Sequence, residues 1–153
     1  KRNGTSLVYN LSEPNYASSW FPCNDIPFDK TMLEISITND SSMVSVSNGV
    51  LVGVITDRER RTYRWKTEYP ISTYLVAIYS SDYEYFSDVY ISLDGLDTMN
   101  VDYYVLSDKL EKAKVDFSMH VQMLEIFSQI IVLLNYYFKL MCLSDSKVSP
   151  SWI

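Results

Sequence analysis

Leu33, Ile35 and Ile37 alternate with Met32, Glu34, Ser36 and Thr38, and the same period of two returns where Tyr63, Trp65 and Thr67 stand opposite Thr62, Arg64, Lys66 and Glu68. Successive side chains of an extended chain point to opposite faces, so each stretch is predicted to be a strand with one face buried. Further short strand candidates lie at Ser6–Tyr9, Met43–Ser47, Val50–Ile55, Tyr83–Phe86, Val89–Leu93 and Val101–Leu106, with turns expected at Asn39–Ser42, Thr56–Arg61, Asp88 and Asp94-Gly95. Asn48-Gly49 is the strongest hairpin signal because both residues tolerate positive φ, and it predicts that Val50–Ile55 returns against Met43–Ser47. Thr73–Tyr79, nearly continuous in apolar character between Pro70 and Ser80-Ser81-Asp82, predicts a central strand covered on both faces. Strands this short and this regularly spaced predict a mainly β chain built as an antiparallel β-sandwich or open barrel.

The period changes at Ser107. Leu110, Ala113, Lys114 and Phe117, then Val121, Leu124 and Phe127, recur at intervals of three and four, with Ser107 and Asp108 expected to cap the start. One helix, or two joined near Ser118, is therefore expected after the strands. From Ile130 the chain turns into an apolar run followed by a polar tail. The run Ile130–Leu134 is too short to span a bilayer, and the window from Met119 to Leu143 holds His120, Glu125 and Lys139, so a membrane span is not expected.

With 47% hydrophobic and 21% charged residues, the 153-residue chain has ordinary globular composition and room for one sizeable core. Its net charge of −6 comes without a basic cluster, since the nearest candidate, Arg58 to Arg61, is interrupted by Glu59. Nucleic acid and anionic membrane surfaces, which need concentrated Lys and Arg, are thereby excluded as expected partners. Cys23 and Cys142 lie far apart in unlike contexts and give neither a disulfide framework nor a metal-ligand spacing; Cys23 is expected to be a small buried side chain. Three Asn-x-Ser/Thr triplets, at Asn3, Asn10 and Asn39, are explained by a composition rich in these residues. The chain begins at Lys1 rather than a methionine and shows no signal-peptide pattern, so its start is expected to be an excerpt or a truncation, and the compartment stays open.

Between Glu13 and Lys30, prolines at 14, 22 and 27 fix φ and push the preceding residues towards extended geometry. A non-helical, ordered loop is expected, with few unfolded conformations to lose. Glu13-Pro14, Ala17, Phe21-Pro22-Cys23, Asp25, Pro27 and Lys30 stand at the spacing of a segment in the N-terminal β-domain of zinc aminopeptidases, and over about residues 7 to 129 the chain resembles that family, which includes aminopeptidase N and leukotriene hydrolase. The resemblance implies a saddle-like β-sandwich, partial here, over residues 1–106, the start of a helical catalytic domain at 107–129, and a divergent tail at 130–153, where a lost reading frame or truncation would account for the change of character. It also implies that Glu13 helps to anchor the substrate's free α-amine, although relatives often carry Gln where this chain has Leu11 and an arginine pair where it has Ser18 and Ser19. Pro14, Phe21, Pro22, Cys23, Asp25, Pro27 and Lys30 are expected to be structural, Asp25 as an Asx-type turn and Lys30 as the charge at the start of a strand.

The chemistry of such an enzyme needs two histidines one helical turn apart, a glutamate between them and a later carboxylate ligand. This chain has one histidine, His120, and lacks both the His-Glu-x-x-His and the Gly-x-Met-Glu-Asn motifs. It is therefore expected to bind no cofactor and to be inactive alone, zinc and peptide substrate belonging to an intact parent whose catalytic domain would be its partner. The different expectation to set against this is a stand-alone β-sandwich binding or adhesion module; a His-Glu-x-x-His motif downstream would decide for the peptidase. The 13 tyrosines suit a carbohydrate platform less well than strand packing, where aromatic residues are at home.

Overall fold

In the computed structural model, residues 6–144 are described in backbone and 6–132 in side chains. Ten strands come first: β1 (Val8–Tyr9), β2 (Lys30–Thr31), β3 (Glu34–Asp40), β4 (Val44–Ser47), β5 (Val50–Asp57), β6 (Arg60–Lys66), β7 (Ile71–Ser72), β8 (Ile78–Ser81), β9 (Tyr83–Ile91) and β10 (Thr98–Leu106). Two helices follow, α1 (Leu110–Asp116) and α2 (His120–Ser144). The fold is mainly antiparallel β with a helical segment at its C-terminal end, as the sequence predicts.

The strands form two three-stranded sheets, ordered β1-β8-β4 and β3-β6-β5, and two pairs, β2-β7 and β9-β10. The predicted alternation is visible in β3, where Ile35 and Ile37 are half-buried and their neighbours exposed, and in β6, where Tyr63 and Trp65 are buried. Trp65 joins the two larger sheets: its indole N–H donates to the Ser45 carbonyl at 3.0 Å. Asn39 of β3 does the same, donating to the hydroxyls of Ser45 in β4 (3.0 Å) and Ser80 in β8 (2.7 Å). Burial of Ser45, Ser80 and Ser81 is tolerable because each hydroxyl has a partner, and for Ser81 it is the Ser6 carbonyl at 2.8 Å.

Four local expectations need correction. Asn48-Gly49 does not close a hairpin: β4 pairs with β8 and β5 with β6, so the chain changes sheet there. The Asn48 amide donates to the Leu75 carbonyl (3.0 Å) and accepts from the Ala77 N–H (2.7 Å), contacts across the fold that a hairpin turn does not make. Gly49 has φ +89°, and a Cβ there would lie 2.1 Å from the Lys66 carbonyl oxygen, so only glycine fits the crossing. Thr73–Tyr79 is not one strand; Thr73–Leu75 is a 3₁₀ turn, and the central strand, β8, starts at Ile78. Asp88 lies within the continuous β9 rather than in a turn. Ser107 starts a 3₁₀ turn and spends its hydroxyl on the Asp82 carboxylate at 2.8 Å instead of capping α1. The hairpins at Arg58-Glu59, with Arg58 at φ +54°, and at Asp94-Gly95, with Gly95 at φ +72°, fall where the sequence puts turns.

By its contacts the chain divides into two compact units, one within Lys1–Glu84 and Tyr104–Asp108 and the other within Tyr85–Tyr103 and Lys109–Ile153. In the second, Tyr103 is the centre. Its ring stacks on Phe86 (centroids 4.5 Å) and Phe117 (5.3 Å), and His120 lies 4.7 Å from Phe117. Of the two alternatives the sequence leaves open, the structure has two helices, separated between Asp116 and His120, where the Phe117 N–H bonds back to the Ala113 carbonyl (2.9 Å) and the Ser118 hydroxyl to the Val115 carbonyl (2.8 Å). The α2 backbone passes Gln129 without a break and runs to Ser144. Residues 145–153, the end of the expected divergent tail, and the side chain of Cys142 lie outside the described residues. No helix among the described residues is long and apolar enough to cross a membrane.

Candidate functional site

The loop from Glu13 to Lys30 is held from both sides by side chains far away in sequence. At its start stands Ser12, 2% exposed, whose hydroxyl accepts from the Trp20 indole N–H and the Asn10 amide, both at 3.0 Å, while its carbonyl accepts from the Tyr16 N–H at 2.8 Å. Asn10 in turn occupies the main chain leading into β8, donating to the Val76 carbonyl (2.8 Å) and accepting from the Ile78 N–H (2.7 Å). Residues Ala17–Ser19 form one 3₁₀ turn around the fully buried Ala17, so the prolines do not keep the whole loop extended. None of the three falls inside that turn, which is why it can form.

Further along, the Asp25 carboxylate accepts from the Ser18 N–H (3.1 Å) and from the Thr73 hydroxyl (3.3 Å). Asp25 is therefore a clasp across 48 residues rather than a local Asx turn. The Ser72 hydroxyl donates to the Pro27 carbonyl, and Lys30 and Thr31 pair with Ser72 and Ile71. Lys30 thus stands at the start of a strand as expected. Phe21 is half-buried with its ring 4.7 Å from Trp20, and Pro22 is exposed. Cys23 is half-buried rather than buried, and burial followed by the nearby Asp25 and Asp29 carboxylates raises its thiol pKa, so it stays protonated at neutral pH.

Against this fixed frame Glu13 and Pro14 are exposed, joined by a cis peptide bond. Glu13 is the one candidate binding residue from the sequence, and the structure puts its carboxylate in water directly beside the buried Ser12. Asn10, Ser12, Trp20 and Thr73, which carry the loop, were not singled out by sequence reasoning. Asn10 entered only as a glycosylation triplet, and its amide, like that of Asn39, is already engaged. No local pattern announces a side-chain bond across 66 residues.

His120 packs against Phe117 and Tyr103 and is half-buried. Among the described residues no three His, Cys, Asp or Glu side chains gather to hold a metal, so they do not fit a zinc ligand set. The tyrosines divide: Tyr63 and Tyr103 are core, whereas Tyr9, Tyr16, Tyr69, Tyr79 and Tyr85 are exposed, so packing explains only part of their number.

Residues 2–75, which contain the whole loop, match the Peptidase M1 N-terminal domain family. The match covers just under half of the chain. A probable aminopeptidase 1 from Sulfurisphaera tokodaii is 29% identical over 86 residues, 56% of this chain and 11% of that protein. The fold resembles an M1 zinc metallopeptidase from Deinococcus radiodurans (TM-score 0.61, 23% identity, 66% of this chain and 23% of that one). It also resembles a Legionella pneumophila aminopeptidase A solved with aspartic acid (TM-score 0.64, 21% identity, 74% of this chain and 13% of that one). The chain thus spans less than a quarter of the length of these relatives.

Proposed function

We propose that this M1 N-terminal segment works within a zinc aminopeptidase, where it presents Glu13 as an acceptor for the charged α-amine of a peptide substrate. The observation that carries this reading is the contrast in the loop: a solvent-exposed carboxylate follows directly on a buried, doubly hydrogen-bonded Ser12. A fixed anchor loses little conformational entropy on binding. A peptide α-amine has a pKa near 8 and is largely protonated at neutral pH, so a carboxylate acceptor gains both charge and hydrogen-bond energy. In this reading residues 1–106 form part of the β-domain, 107–129 begin the catalytic domain, and zinc is held by residues beyond this segment. When bound there, the metal would activate the hydrolytic water.

The experiment is Glu13→Gln in an intact enzyme carrying this segment. Loss of a charge-assisted bond of about 1.5 to 3 kcal/mol should lower kcat/KM roughly ten- to a hundredfold. The melting temperature should not move, because the side chain faces water. Unchanged kinetics would assign Glu13 to structure.

A further inference from the structure

Residues 75–77 lead into β8 without belonging to a strand, and two asparagine side chains hold their main chain. Asn48 donates to the Leu75 carbonyl (3.0 Å) and accepts from the Ala77 N–H (2.7 Å). Asn10 takes the alternate groups, donating to the Val76 carbonyl (2.8 Å) and accepting from the Ile78 N–H (2.7 Å). A side-chain amide has one acceptor oxygen and two N–H donors, so Asn10 still has one N–H to give after clasping this main chain. It goes to the Ser12 hydroxyl at 3.0 Å.

Ser12 passes that constraint on. Its hydroxyl also accepts from the Trp20 indole N–H (3.0 Å), and its carbonyl accepts from the Tyr16 N–H (2.8 Å), which closes a turn over Glu13, Pro14 and Asn15. Glu13 follows directly, and consecutive Cα atoms are a fixed distance of about 3.8 Å apart, so a displacement of Ser12 becomes a displacement of the carboxylate. Ser12 and Val76 are both 2% exposed, so the link does not depend on any free surface. We propose that Asn10 is a positioning residue for substrate recognition: by tying Ser12 to the main chain at Val76 and Ile78 it sets where Glu13 stands, a role that rests on Glu13 being the amine anchor. A misplacement of about 1 Å is enough to cost about a hundredfold in rate, so a side chain that never touches substrate still governs the contact.

The test is Asn10→Ala in an intact enzyme carrying this segment, with kcat/KM measured on a peptide and on its analogue lacking the α-amine, each with Glu13 and with Glu13→Gln. The substitution should cost the amine-bearing peptide roughly five- to fiftyfold while Glu13 is present, and almost nothing on the analogue or after Glu13→Gln, as residues that act through one another require. Asn39→Ala deletes a comparable pair of bonds, to Ser45 and Ser80 rather than to the loop, and should leave the preference for the amine unchanged. If thermal melting shows that Asn10→Ala does not fold, Ser12→Ala carries the same test, because it keeps both bonds of Asn10 to the approach of β8 and deletes the hydroxyl through which the link runs. A loss equal on both substrates, a loss undiminished after Glu13→Gln, or no loss at all would make Asn10 structural only and overturn the proposal while leaving Glu13 as the anchor. If Glu13→Gln is itself silent, the reading of Glu13 fails and the role of Asn10 falls with it.

Discussion

The unit built on the two larger sheets and the unit built on β9, β10 and the helices solve the problem of a small core differently. The first buries hydroxyls: Ser12, Ser45, Thr67, Ser72, Thr73, Ser80 and Ser81 are all under 5% exposed, and bonds from Asn10, Asn39 and Trp65 satisfy or link them. The second relies on ring stacking of Phe86, Tyr103, Phe117 and His120. Stacking depends on contact area and tolerates small shifts, whereas a buried hydroxyl is worth its place only while its partner stays within hydrogen-bond reach. The polar unit is therefore the one suited to holding a loop such as Glu13–Lys30 in a fixed position.

The largest expected effect lies in the aromatic unit. Tyr103→Ala removes the ring on which the others stack and should cost about 3 to 5 kcal/mol in denaturant unfolding, the range for large-to-small aromatic changes. Next comes the polar unit. Asn39→Ala deletes two donors to buried hydroxyls and should cost about 1 to 3 kcal/mol. If the two losses proved equal, the division between area and satisfied bonds would fail.

Tyr103→Phe sharpens the comparison from the other side. The Tyr103 hydroxyl is buried without a hydrogen-bond partner, and burial together with the neighbouring Asp88 carboxylate, which does not close a normal bond to it, raises its pKa. Removing the hydroxyl keeps the stack and sheds an unsatisfied group, so stability should be unchanged or higher by up to about 1 kcal/mol. The smallest effect is electrostatic. Glu34 is held below its ordinary pKa by its hydrogen bond and charge pairing with Arg64, so its contribution is present above the unfolded value of about 4.3 and is lost as pH falls through the folded one. Glu34→Gln should accordingly flatten the acid limb of a stability–pH curve while barely altering the neutral plateau, since the pair is exposed.

Much of the β architecture was legible because burial of one face imposes a period on Ile35 and Ile37 and on Tyr63 and Trp65, whereas the helix joint was legible only as one of two alternatives, because Phe117 and Val121 keep the helical interval across Ser118. Pairing was not. Asn48-Gly49 has the chemistry of a hairpin turn, yet Asn48 bonds to residues 27 and 29 positions away, and tertiary contacts overrode the local preference. The same holds for Ser107, drawn off its capping role by Asp82, and for Asp25, drawn off its turn by Thr73. At the candidate site the ordered loop was legible from its prolines. What fixes it, Asn10 with Ser12 and Trp20, was not, because each acts through one side-chain bond without periodicity.

The most direct measurement is the coupling between Glu13 and the substrate's amine in an intact enzyme carrying this segment. It compares kcat/KM on a peptide and on its analogue lacking the α-amine, each with and without Glu13→Gln. The account predicts that the substitution costs the amine-bearing peptide roughly ten- to a hundredfold and the analogue almost nothing, a coupling of about 1.5 to 3 kcal/mol. An equal loss on both substrates, or no loss on either, would contradict it.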